Sequence, residues 1–270
     1  MVSPGLRFYT LFMVAATFFL VIAGGLVTST GSALAVPDWP LSFGQVFPPM
    51  VGGVFYEHGH RMVAATVGFL TIFLAIWLGR QAEEPLLKMA GWIALGLVCC
   101  QGVLGGVTVL LKLPAITSIG HACLGQIFFS WMSCIAVMAW SERVASVTPE
   151  ASKLRRLAII TTGFVFLQLI FGAIYRHMGI LLHLHFLGAA LVLVHAILLS
   201  RRIKKSGTVD SWFLRPATLL VTLVFVQIGL GLYTWQNPTV FDATAHVATG
   251  ALIFATCAVI SLQSFRRVAA

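Results

Sequence analysis

Apolar runs of about twenty residues alternate with short polar or glycine-rich breaks along nearly the whole chain. A helix that crosses the hydrocarbon core of a bilayer needs about 20 predominantly apolar residues. Eight stretches meet that length, approximately 8–29, 58–79, 89–111, 117–140, 157–176, 180–200, 215–235 and 243–264. The pattern predicts an all-α membrane protein with eight transmembrane helices. Ionisable residues gather at the ends of the runs, and the stretch FYEHGHRMVAATVGFL, residues 55–70, is the densest case. It sets Glu57, His58, His60 and Arg61 at the lip of the second run, with no further ionisable residue until Arg80.

The breaks suggest how the runs are grouped. Residues 30–57, TGSALAVPDWPLSFGQVFPPMVGGVFYE, form the longest connection, rich in Pro, Gly and aromatics. A connection of that length is expected to be an ordered functional cap. The polar segment SERVASVTPEASKLRR divides the runs into two sets of four, with halves at 1–143 and 144–270. The halves look like repeats, which predicts two pseudo-symmetric four-helix bundles. QGVLGG in the third run, QLIFGA in the fifth and QIGLGL in the seventh set Gln101, Gln168 and Gln227 four residues before Gly105, Gly172 and Gly231. Residues four apart share a helix face, and in lipid such a face belongs against another helix. Generic packing accounts for the glycines.

Composition agrees with a membrane protein: 59% of residues are hydrophobic and 9% charged, against roughly 25% charged in a soluble domain. A net charge of +9 would suit a nucleic-acid partner if the basic residues clustered on one surface, but their placement reports topology instead. Arg7, Arg80, Lys88, Arg143, Lys153, Arg155, Arg156, Arg201, Arg202, Lys204, Lys205, Arg215, Arg266 and Arg267 fall on one side, while Arg61, Lys112 and Arg176 fall on the other. This positive-inside bias puts both termini in the cytoplasm, and no nucleic acid is expected. The first run is too long for a signal-peptide core and has no Arg/Ser-rich leader, so it reads as a retained span of a bacterial inner (plasma) membrane protein. Cys99, Cys100, Cys123, Cys134 and Cys257 all lie inside runs, where no disulfide framework is expected.

Four of the eight histidines repeat in register. His60 and His121 are 61 residues apart, as are His185 and His246, near the outer starts of the even-numbered runs. Each is followed four residues later by a small residue, Ala64, Gly125, Ala189 or Gly250, on the same helical face. The pattern offers two imidazoles at one level in each half with a bare patch beside each, an arrangement suited to a planar macrocycle in a four-helix bundle. Heme is the natural candidate. Zinc or copper also accepts imidazole, but a cluster of ligands would suit those metals better than two pairs. His183 could exchange roles with His185 if the register shifts. His58 and His177 are expected at the rim, solvated or near heme propionates, and His195, deeper, is expected to pack or hydrogen-bond. Glu57 lies one turn before His60, where it either pairs with Arg61 at the helix start or presents a carboxylate to a bound ring.

These residues together resemble a known family. Eight spans in two repeated halves, Glu57-x-x-His60-Arg61 opening the second span, single histidines opening the other even spans, and PDWPL in the first outer loop are similar to heme A synthase over essentially the whole chain. The resemblance implies an integral-membrane oxidoreductase that converts heme O to heme A by oxidising the C8 methyl to a formyl group through successive hydroxylations. It implies that the N-terminal half holds heme O on His60 and His121, and the C-terminal half holds a bis-histidine heme b on His185 and His246. Glu57 would be the catalytic carboxylate, with Arg61 and Arg176 meeting propionates at the outer rim. Heme O synthase and a membrane electron carrier are the implied partners, in the service of cytochrome oxidase assembly.

The sequence departs from the family pattern at one place. Many members flank PDWPL with cysteines, whereas Val36 and Ser42 stand here, so a mechanism that needs that thiol pair cannot operate. A non-catalytic diheme electron-transfer or heme-handling protein is the alternative. A transporter, suggested by repeats alone, finds no broken span and no deep acidic residue to support it.

Overall fold

The computed structural model of the chain describes residues 2–141, 146–147, 150–206, 211–266 and 268–269. Among them run eight helices, α1 (Pro4–Ser29), α2 (Gly53–Gln81), α3 (Pro85–Leu110), α4 (Ala115–Trp140), α5 (Ala151–Met178), α6 (Leu182–Lys205), α7 (Ser211–Gln236) and α8 (Val240–Arg266). All eight are long and apolar enough to cross a membrane. The 26 residues of α1 rise about 39 Å, more than the roughly 30 Å hydrocarbon core, so helix ends stand in the interfacial zone. A two-residue parallel pairing of Ser146–Val147 with Val268–Ala269 is the one strand pair among the described residues. Arg143 and Arg267 of the basic set, and the boundary between residues 143 and 144, lie outside the described residues.

Local chemistry sets the helix ends. The Ser3 hydroxyl accepts the Leu6 N–H ahead of Pro4, which opens α1, and Pro85 opens α3; both arrangements suit a first turn whose N–H groups have no intrahelical partner. At Gly52 the chain enters the left-handed region, with φ of 56°, which glycine adopts at little steric cost. Helix α2 therefore begins at Gly53, before the apolar run itself, and residues 53–57, Glu57 among them, belong to the helix instead of the preceding connection. The outer connection shortens to residues 30–52.

Each half closes as a ring of four helices. In the first, α1 packs on α2 and α4, and α3 bridges α2 and α4; in the second, α5 packs on α6 and α8, and α7 bridges α6 and α8. The rings meet along α4 with α8, α1 with α8, and α4 with α5, a pairing that a two-fold exchange of halves reproduces. Apolar side chains fill one end of each ring, with Leu6, Met13, Leu74 and Ile135 in one core and Leu154, Leu199, Phe213 and Ile260 in the other. Lipid does not drive helices together as water does, so close packing and small interfacial residues must do so. Outward of Val165, Val192 and Val224, no described residue of α5, α6 or α7 is fully buried. The second ring is thus packed closed at the ends of α5 and α7 where each begins and more open at the end that carries the histidines, and in the first ring the loop of residues 30–52 reaches the start of α2 at the same end.

Candidate functional site

The four repeated histidines lie in the outer parts of the rings, and each ring edge rests on a glycine of the preceding helix. A Cβ built at Gly105 would stand 2.9 Å from His121 Cε1; the same distance separates Gly172 from His185 and Gly231 from His246, and Gly24 lies at 3.2 Å from His60. Any larger residue on α3, α5 or α7 would have to displace the imidazole. The glutamine one turn deeper serves the same histidine. Gln101 Nε2 donates to the His121 carbonyl at 2.9 Å and Gln168 Nε2 to the His185 carbonyl at 2.8 Å, while Gln227 Nε2 lies 3.2 Å from the ring nitrogen Nε2 of His246. The Gln-x-x-x-Gly pattern is a histidine seat, a more specific role than generic packing. It also occupies part of the space expected to be bare, because the amides of Gln101 and Gln227 lie against Gly125 and Gly250, and Gln168 lies against Gly188.

The His185 and His246 rings face each other with centroids 6.2 Å apart and planes 70° apart. Two metal–imidazole bonds of about 2 Å each, with the half-width of each ring added, span about that distance. His60 and His121 lie within electrostatic reach of each other in the first ring. All four Nδ1 atoms are buried against their seats without a hydrogen-bond partner, and at His246 the other ring nitrogen meets Gln227. Among the described residues no three His, Cys, Asp or Glu side chains come together as a metal cluster. The spacing of the His185–His246 pair in its bundle suits axial ligation of a heme better than a zinc or copper cluster.

Glu57 and Arg61 are both committed to the outer loop. Glu57 is 3% exposed; its Oε1 accepts Arg61 Nη2 at 2.7 Å and its Oε2 accepts the Val36 N–H at 2.8 Å. The Arg61 guanidinium also donates to the carbonyls of Val36 (3.1 Å), Asp38 (2.7 Å) and Leu41 (2.9 Å). This arginine threads the PDWPL segment from one end to the other. Its terminal nitrogens are engaged by Glu57 and loop oxygens. Trp39 lies on α3, where a Cβ at Gly106 would meet its ring at 2.6 Å. Adjacent glycines of α3 therefore carry different loads: Gly105 seats His121 and Gly106 seats the cap. The Asp38 carboxylate accepts the N–H groups of Phe43 (2.7 Å) and Gly44 (2.8 Å), and the bonds from Gly44 and Phe43 hold its carboxyl below the ordinary aspartate range.

The other expected residues are distributed as follows. Arg176 lies one turn outward of Gly172 on the same face of α5, and its Nη2 donates to Ser29 Oγ of α1 at 2.7 Å, tying the two rings together at the rim. His183 is exposed while His185 points toward His246, which settles the register in favour of His185 as the inward ring. His195 bonds the Leu191 carbonyl at 2.9 Å and packs on Phe164, a structural role as expected. His177 is partly buried near the rim. His58 differs from expectation: it is 6% exposed, and its Nδ1 is 2.8 Å from Ser42 Oγ because the loop folds down over the start of α2. Ser42 itself is fully buried. Val36 and Ser42, the positions that flank PDWPL, are both drawn to Arg61, and sequence reasoning gave no sign of that convergence beyond the loop's length.

A sequence model of a family described as cytochrome oxidase assembly protein matches residues 51–186, the segment that holds Glu57, His60, Arg61, His121, Arg176 and His185. Proteins named heme A synthase are similar to this chain. That of Symbiobacterium thermophilum is 29% identical over 183 residues, 64% of this chain and 60% of its own length. That of Alkalihalophilus pseudofirmus is 29% identical over 154 residues, 55% of this chain and 51% of its own. That of Shouchella clausii is 30% identical over 165 residues, 60% of this chain and 52% of its own. The chain thus spans between about half and three fifths of the length of these relatives.

Proposed function

Because the chain belongs to the cytochrome oxidase assembly protein family, we propose that this multi-pass membrane protein is a heme A synthase-like oxidoreductase that converts heme O to heme A. The observation that carries the reading is the opposed His185–His246 pair, repeated in register by His60 and His121. In this reading residues 1–143 form the half that binds heme O, through His60 and His121, and residues 144–270 the half that binds heme b, through His185 and His246. Both termini face the cytoplasm of a bacterial inner membrane, and heme O synthase and an electron carrier work beside it.

A bound heme b supplies one-electron redox chemistry for oxidation of the C8 methyl to a formyl group. The protein's own part is orientation and exclusion. The glycine seats fix the planes of the imidazoles, and the cytoplasmic cores close the rings from below. The PDWPL cap, held by Arg61 and by Trp39 on Gly106, covers the substrate half from outside and keeps water from the reacting edge. Glu57, one turn outward of His60, is the carboxylate placed to hold a proton near that edge. Arg176 meets a propionate of the cofactor by a charge-assisted bond, while Arg61 acts on the substrate through the cap it fastens.

The commitment of both Glu57 oxygens to Arg61 and Val36 favours a second reading, a diheme electron-transfer or heme-handling protein of the same fold. Expression in cells that make heme O but no heme A separates the two. Membranes that acquire an a-type absorption support the enzyme, and membranes that show b- and o-type absorption alone support the second reading. Absence of bound heme under heme-replete growth contradicts both.

A further inference from the structure

The seat beneath the histidines is complete for three of them and incomplete for the fourth. Helices α3, α5 and α7 each bring a glutamine to the histidine that follows, by way of its carbonyl at His121 and His185 and of its ring at His246. On α1 the position one turn deeper than Gly24 is Leu20, which has no hydrogen to donate. The glycine contact is looser as well, 3.2 Å at His60 against 2.9 Å at the other three. His60 is therefore held by packing alone, whereas an amide also anchors the helix backbone at His121 and His185 and the ring itself at His246. The interior of a span offers no water to replace that bond.

Resting on the reading of these histidines as heme ligands, we propose that the asymmetry divides labour between the halves: His60 is the releasable ligand of the four, so the N-terminal half exchanges its heme and the C-terminal half retains its own. A substrate half must admit heme O and discharge heme A at every turnover, while a resident cofactor must stay through all of them. One loose ligand opposite a pinned one, His60 opposite His121, lets a heme leave in two steps from one side. Two pinned ligands do not. Gln101, Gln168 and Gln227 are in this view positioning residues, acting on heme through the histidine they hold, as outer partners of metal ligands commonly do.

The test is transfer of heme b from the full-length protein, purified in detergent, to excess apomyoglobin, followed by the Soret change. Two phases of similar amplitude are expected from the wild type. Leu20→Gln installs the missing amide and should slow the fast phase by about threefold, the effect of a typical interhelical hydrogen bond in a membrane, while leaving the low-spin absorption and EPR signals of both hemes in place. Gln168→Leu should quicken the slow phase by about the same factor, and it serves alone if Leu20→Gln does not fold. Release of both hemes at one rate overturns the inference, as does a Gln168→Leu protein whose slow phase is unchanged, or a Leu20→Gln protein whose fast phase is unchanged. A protein that takes up no heme contradicts the functional reading instead, so the two failures are distinct.

Discussion

Replacing Arg61 with alanine should open the outer cap. The side chains of Arg61 and its partner Glu57 are 14% and 4% exposed, so the pair is largely withdrawn from water. Removing the arginine leaves a buried carboxylate with one remaining bond, from the Val36 N–H, and strips the carbonyls of Val36, Asp38 and Leu41 of their shared donor. Breaking a buried pair from one side costs about 3–5 kcal/mol. The partial exposure of Arg61 favours the lower end, about 3 kcal/mol, and at 1.4 kcal/mol per decade this is about a hundredfold rise in cap opening. The assay is limited proteolysis of residues 30–52 in membranes that expose the outer face, at low protease so that cleavage tracks the open population. Arg61→Lys should recover little, because a point charge cannot bridge three carbonyls and a carboxylate. Glu57→Gln should open the cap in part, since one amide oxygen remains to accept but the NH2 cannot accept the second N–H, and the Arg61 charge loses its counter-ion, and Glu57→Gln/Arg61→Ala should be cleaved more slowly than Arg61→Ala, because no buried charge is stranded. A cap cleaved at the wild-type rate in Arg61→Ala, or a double variant as labile as the single one, would refute this reasoning.

Other expectations follow from the same contacts. Gly172→Ala places a methyl 2.9 Å from His185 Cε1, where ordinary contact begins at 3.4 Å; the overpacking costs about 1–3 kcal/mol and should lower heme bound in the C-terminal half, measured as heme per protein and low-spin EPR intensity. Gly106→Ala displaces the Trp39 ring and should raise cap proteolysis and Trp39 fluorescence change while leaving the His185–His246 heme signal intact. The depressed Asp38 carboxyl makes its turn sensitive to acid. Because the folded value lies below the unfolded one, the stabilisation is whole above about pH 3.9 and is lost as pH falls through the lower folded value. Cap cleavage by an acid-active protease should therefore climb below about pH 3.9 in the wild type and be high but nearly pH-independent in Asp38→Asn.

The sequence made the spans and the paired histidines legible because both depend on periodicity, which survives without tertiary contacts. Apolar length alone located all eight helices. It missed the start of α2, since the helix runs back to Gly53, past the point where hydropathy falls. The 61-residue register placed His60, His121, His185 and His246, but what lies beneath them was hidden. Gln and Gly four apart on an odd-numbered helix suggest a packing face, and only the fold shows that the face receives a histidine. The double glycines at 24–25 and 105–106 were the available signal. The loop was harder still: nothing in PDWPL says that Arg61, twenty residues later, will take its carbonyls, or that Ser42 will bury His58. Such contacts are set by where one loop lands on one helix end.

The function stands or falls on what the protein does to heme O. Hemes extracted from the wild type, from Glu57→Gln and from His60→Ala, each expressed beside a source of heme O, should be separated and weighed by mass spectrometry. The wild type should yield heme A, and His60→Ala should yield none. Wild-type protein that carries heme b and heme O in full measure, with no formyl product under aerobic growth, would contradict the enzyme and leave a heme-binding protein in its place.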